Sequence, residues 1–159
     1  MRHKQKGFSL IELLVVVAII LIIVAIAVPN FIAAKISANE SSAVSSIHAV
    51  NTAEITYSSE FTDIGFSVAL ADLGSGGVNP CPGTANASCF IDASLASGTK
   101  SGYNFTYAQS SSSTPSVAYT INANPVYMSI TGQKGFYSDQ SNVIRYNSTG
   151  PAGLSDPTL

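Results

Sequence analysis

The sequence predicts an α+β protein: a long N-terminal helix, membrane-spanning in its first half and amphipathic in its second, packed on a small antiparallel sheet. Three observations predict it. From Phe8 to Val28 the chain is almost wholly Leu, Ile, Val and Ala, with one carboxylate, Glu12. Beyond Pro29, apolar residues recur at steps of three, four or seven as far as Phe61. The C-terminal half carries short β-forming runs separated by Gly, Pro, Ser and Asn.

The elements follow in chain order. Residues 1–7 form a short basic leader with Arg2, Lys4 and Lys6. Residues 8–28 at about 1.5 Å each reach about 31 Å, enough to cross a hydrocarbon core. The leader would stay cytoplasmic and everything after Pro29 would lie outside. Pro29 donates no backbone N–H and crowds the preceding turn, so it should kink or locally melt the helix. Residues 29–61 continue it as an amphipathic helix, with Ile36, Ala43, Ile47, Val50, Tyr57 and Phe61 on one stripe and Glu40 and Glu54 marring it. Residues 62–159 form the loops and sheet of a head. Strands are predicted at Tyr103–Tyr107, Val117–Asn122, Val126–Thr131, Phe136–Ser138 and Val143–Tyr146, giving three to five antiparallel strands with one face on the helix. The Pro- and Gly-containing segment from Gly150 should fray.

Composition narrows the function. Of 159 residues, 46% are hydrophobic but only 10% are charged, well under the roughly 25% of an average soluble protein. Removing the leader leaves four cations against nine acids, a net −5, with no electrostatic footprint for nucleic acid. No nucleophile elbow or phosphate-binding Gly-rich loop is present, and no cofactor is implied. His48 has no Cys or carboxylate pair beside it and reads as a solvated helix residue. Asp139 opens a string that starts like a calcium loop but lacks its Gly and its Glu at position twelve, so a turn-capping role is the default. Cys81 and Cys89 have no Cys or His neighbours to complete a zinc site. In an exported domain they read as a short disulfide-closed loop, the alternative being two free thiols. The helix aromatics Phe8, Phe31, Tyr57 and Phe61 are explained by packing.

The string Lys6-Gly7-Phe8-Ser9-Leu10-Ile11-Glu12-Leu13-Leu14, followed by the apolar run and Pro29, resembles the amino terminus of type IV pilins and the related type II secretion pseudopilins. The resemblance covers residues 1 to about 36 and is looser beyond. It implies that a prepilin peptidase/N-methyltransferase cuts after Gly7 and methylates the new amino group of Phe8. It also implies an assembly platform in a bacterial inner membrane and, as main partner, other copies of this chain. Glu12 would then meet the amino terminus of a neighbouring subunit and set axial register in a filament. The product would be a surface pilus or, as the alternative, the periplasmic pseudopilus of a type II secretion system. The chain would be a structural subunit and not an enzyme.

Two plainer readings compete. Ala25-Ile26-Ala27 fits an ordinary signal-peptidase site, which would release a soluble protein starting at Val28. The helix could also be an uncut anchor carrying a binding domain on a stalk. Glu12 sits awkwardly in both, because an acidic residue at the centre of a membrane helix costs roughly 2.5–3.5 kcal/mol on insertion scales, and less near the interface.

Overall fold

The computed structural model describes residues 8–110 and 113–159; the leader, including Gly7, lies outside the described residues. The protein is α+β, with one long helix and a five-stranded antiparallel sheet. The helix, α1, is Leu10–Glu60. By its internal contacts the chain divides after Lys35 into two compact units.

The first unit is the apolar part of α1. From Phe8 to Ile32 its large apolar side chains all stand exposed, Leu10 at 80% and Phe31 at 70% among them. A helix apolar on every side has no face to offer water, so it needs lipid or other helices around it. It is long and apolar enough to cross a membrane. The helix passes through Pro29 unbroken. Beside it, the Asn30 side chain donates to the Ile26 carbonyl at 3.2 Å, turning a polar group back onto the backbone.

In the second unit α1 becomes one-sided. Ile36, Ala43, Ile47, Val50, Ala53 and Tyr57 are buried, and Ser and Thr fill the other faces. Many of those hydroxyls bond the carbonyl one turn back, as Ser41 does to Ser37 and Thr56 to Thr52. The buried stripe packs on an up-and-down sheet in the order β1 (Thr99–Lys100), β2 (Tyr103–Gln109), β3 (Tyr119–Pro125), β4 (Gly135–Asp139) and β5 (Arg145–Asn147). Alternation points Tyr103 and Phe105 of β2, Tyr119, Ile121 and Ala123 of β3, and Phe136 of β4 into one core with α1. A 3-10 helix, Leu70–Leu73, and a short helix α2, Ala93–Ala96, close the end of the core with Leu73 and Leu95. The connection after α1 docks by backbone pairing of Phe66 and Ile64 with Ser116. Gly65 has φ +82° there, and any side chain on it would collide with the Ser116 backbone.

Two expectations are corrected. Val126–Thr131 is a turn rather than a strand. Pro125 ends the ladder, Ser129 takes φ 65°, and the Ile130 and Thr131 N–H groups fold back onto the Tyr127 carbonyl. The Thr131 hydroxyl accepts the Tyr127 N–H at 3.1 Å, a local bond that competes with strand pairing. The segment after Gly150 does not fray. Tyr146 N–H donates to Pro157, Leu159 N–H donates to Ile144, and the Arg145 guanidinium donates to the Asp156 carbonyl. The remaining strands lie close to their predicted places, with boundaries moved by a few residues.

Polar groups also occupy the core. Glu54 is fully buried and accepts both the Ser67 N–H at 3.0 Å and the Ser67 hydroxyl at 2.5 Å. Tyr107 donates to the Ser67 carbonyl at 2.9 Å. Beside them Tyr119 donates to Asn51 Oδ1 at 3.0 Å, and Asn51 donates to the Ser138 hydroxyl at 2.9 Å. Burial pushes the Glu54 carboxyl above the usual carboxylate range, against the lowering effect of the Ser67 bonds. It likewise raises the Tyr107 and Tyr119 hydroxyls, which stay protonated as donors.

In the segment after the 3-10 helix, Cys81 and Cys89 are joined by a disulfide with Cα atoms 6.4 Å apart. Its far end is fixed by Ser88, Cys89 and Phe90 N–H bonds to the Asp72, Gly74 and Leu73 carbonyls.

A carboxyl raised in the folded state binds its proton more tightly there than in the unfolded chain. Its contribution is therefore fully present at acid pH and is lost as pH rises through the folded-state value. Thermal unfolding followed by circular dichroism should show Glu54→Gln flattening the loss of stability from mildly acid to neutral pH. Glu54→Ala, which strands the Ser67 donors, should destabilise by about 2 kcal/mol. Replacing both Cys81 and Cys89 with Ser should cost about 2–3 kcal/mol, the loop-closure entropy of so short a ring, measured by denaturant unfolding under non-reducing conditions.

Candidate functional site

The candidate site is the exposed apolar helix and the carboxylate at its start. Ser9 precedes α1, so it occupies the N-cap and Glu12 the third helical position. Glu12 Oε2 accepts the Ser9 backbone N–H at 3.1 Å, and the Leu13 N–H closes the first turn on the Ser9 carbonyl at 3.3 Å. This is the carboxylate half of a capping box: one of the first N–H groups of the helix, which has no intrahelical partner, is satisfied by the residue three places on. A negative group in the first turn also lies at the positive end of the helix dipole. The Ser-x-x-Glu spacing was readable in the sequence, but the apolar run around it drew attention to Glu12 alone.

Glu12 shares a helix face with Phe8, Ile11, Val15 and Val16, which together line a shallow apolar groove. Phe8 is 78% exposed, and none of the described residues of this first unit covers the groove. Among the described residues Glu12 Oε1 has no partner, so one oxygen caps the helix and the other is open to a donor from outside. The structure thus brings Phe8 and Glu12 onto one face. It puts Pro29 further along the same helix and the Cys81–Cys89 loop in the second unit, so these residues form no single centre.

The other candidates have structural explanations. Asp139 caps its own turn, accepting the Ser141 N–H at 2.8 Å on Oδ1 while its carbonyl accepts Asn142 N–H. His48 lies on the outer face of α1, beside Ser45, Ala49 and Thr52. Among the described residues no three His, Cys, Asp or Glu side chains gather as metal ligands.

The family described as "Prokaryotic N-terminal methylation motif" matches residues 2–28. The chain is 46% identical over 57 residues to the type IV major pilin protein PilA of Myxococcus xanthus, covering 36% of this chain and 26% of that protein. It is 53% identical over 38 residues to the type IV wide pilus major component PilA4 of Thermus thermophilus, covering 24% of this chain and 29% of that protein. The chain therefore spans between a quarter and a third of the length of the curated relatives it matches. No solved structure gives a significant match.

Proposed function

We propose that this type IV pilin-like chain is a prepilin: it is cut after Gly7, methylated on the amino group of Phe8, and polymerised into a type IV pilus-like filament. The observation that carries this reading is a capped carboxylate on an otherwise apolar, uncovered helix. Before assembly, lipid would surround residues 8–28, with the head outside the bacterial inner membrane. After assembly, the same residues of neighbouring copies would replace the lipid, and close van der Waals packing between helices would hold the fibre. The partners would be a prepilin peptidase that also methylates, an inner-membrane assembly platform, and further copies of the chain.

Processing would give Glu12 its task. Removal of the leader turns Phe8 into a cation at the end of the helix whose first turn holds the carboxylate. In a helix bundle, an unpaired charge is costly, and a cation on the open Oε1 recovers much of that cost. A subunit whose amino terminus reaches Glu12 of its neighbour would be favoured over one a turn out of register. The same helix could serve a secretion pseudopilus, which differs in where the fibre ends.

Mass spectrometry of the mature protein should find N-methylated Phe8 as the first residue; a start at Met1 or Val28 would point to an uncut anchor or a signal peptide. Glu12→Gln should insert and be processed normally, yet reduce fibres seen by electron microscopy by about a hundredfold or more, the scale of a broken buried pair. Normal fibres from that variant would refute the register role. Secretion lost from a deletion strain that still makes surface fibres would move the assignment to the pseudopilus.

A further inference from the structure

Most charges of this chain are satisfied within it. Three of the four cations beyond the leader have partners. Lys100 Nζ lies 2.7 Å from Asp92 Oδ2, Lys134 Nζ lies 4.0 Å from Glu40 Oε2 and over the Tyr146 ring, and the Arg145 guanidinium donates to the Asp156 carbonyl. Of the nine acids, Glu40 and Asp92 are used in those pairs, and Glu12, Glu54, Asp72, Asp139 and Asp156 each accept a backbone N–H. One cation and two carboxylates remain. Lys35, Glu60 and Asp63 are exposed, and none of them has a hydrogen bond or an ion pair among the described residues.

Along the chain these residues flank the amphipathic part of α1. Glu12 is the only charged residue between Phe8 and Ala34, so Lys35 is the first cation after the apolar segment. Glu60 is the last residue of α1, no basic residue lies in that last turn, and Asp63 follows shortly after it. Carboxylates there add to the negative end of the helix dipole, where a cation is favoured.

We infer that Lys35 of one copy pairs with Glu60 and Asp63 of another, and that this contact links copies along the fibre. This rests on the filament proposed above, in which the apolar segment packs among copies and carries Lys35, at its end, against a neighbour. A second copy of the chain has the charges that fit: each copy offers an unpaired cation and the unpaired carboxylates that match it. The contact joins two different surfaces, so copies lying parallel do not close it into a dimer. Each keeps Lys35 for one neighbour and Glu60 with Asp63 for another, and the contact propagates. A single exposed ion pair contributes little, but the same pair repeated at every subunit adds along the fibre.

Full-length chains carrying Lys35→Glu, Glu60→Lys with Asp63→Lys, or all three changes are expressed in place of the wild type, and fibres are counted by electron microscopy. Immunoblots of membranes and circular dichroism of the purified chains confirm level and fold. The inference expects each of the first two variants to reduce fibres by about tenfold or more, because like charges then face one another. It expects the combined variant, in which the pair is restored with its signs exchanged, to recover most of the wild-type number. Undiminished fibres in either charge-reversed strain overturn the pairing and leave the prepilin reading standing. A combined variant as poor as the two it joins also overturns it, because the charges would then act separately. A wild type that forms no fibre of any kind refutes the filament reading, and the inference with it.

Discussion

The chain makes an apolar surface that it cannot cover alone, and most of its other features answer to that constraint. The first part of α1 is exposed on all sides, so its stability depends on what surrounds it. Against such a background a single carboxylate at the third helical position has an outsized effect. It satisfies the Ser9 N–H at home, and among the described residues its other oxygen has no partner. An all-apolar helix would pack in many registers with little to choose between them. In the proposed filament, one charge among apolar neighbours would make those registers unequal.

The second unit solves a different problem, that of fixing one helix face against one sheet. Ile47, Val50, Leu95 and Ile121 exclude water but could slide. The buried polar groups limit that freedom. Glu54 reaches Ser67, thirteen residues on, and Asn51 is held between Tyr119 of β3 and Ser138 of β4. Each of these bonds is made in one alignment of helix and sheet, and a shifted helix would leave donors and acceptors unpaired in the core, at about 1–3 kcal/mol each.

What the sequence revealed was what is local and periodic. The long helix was legible because its spacing changes from apolar throughout to a stripe near Ile36. β3 was legible because Tyr119, Ile121 and Ala123 alternate with polar residues, and β2 and β4 because aromatic residues cluster between turn residues. Val126–Thr131 has the same composition and alternation, yet the Thr131 hydroxyl and the left-handed Ser129 close it into a turn. The segment after Gly150 looked loose because its partners are distant: Asn122 holds Ala152, and Ile144 and Tyr146 hold its last residues. Glu54 looked like a blemish on the stripe because Ser67, which satisfies it, lies beyond the end of the helix. At the candidate site Glu12 stood out at once, whereas Ser9 as its partner did not. A lone charge is conspicuous in an apolar run and a serine is not.

The pairing of that last segment has a wider consequence. β5 would otherwise be the bare margin of the sheet, with a row of free N–H and C=O groups. Asp156 to Leu159 run beside it and take up several of them, bridging at Arg145 and Thr158, while the opposite margin, β1, is only two residues long. Exposed strand margins recruit other strands, and the danger grows when identical sheets are held at high local concentration. A head whose margins are closed can crowd against its own kind without being stitched to it, leaving any association between copies to the surfaces meant for it.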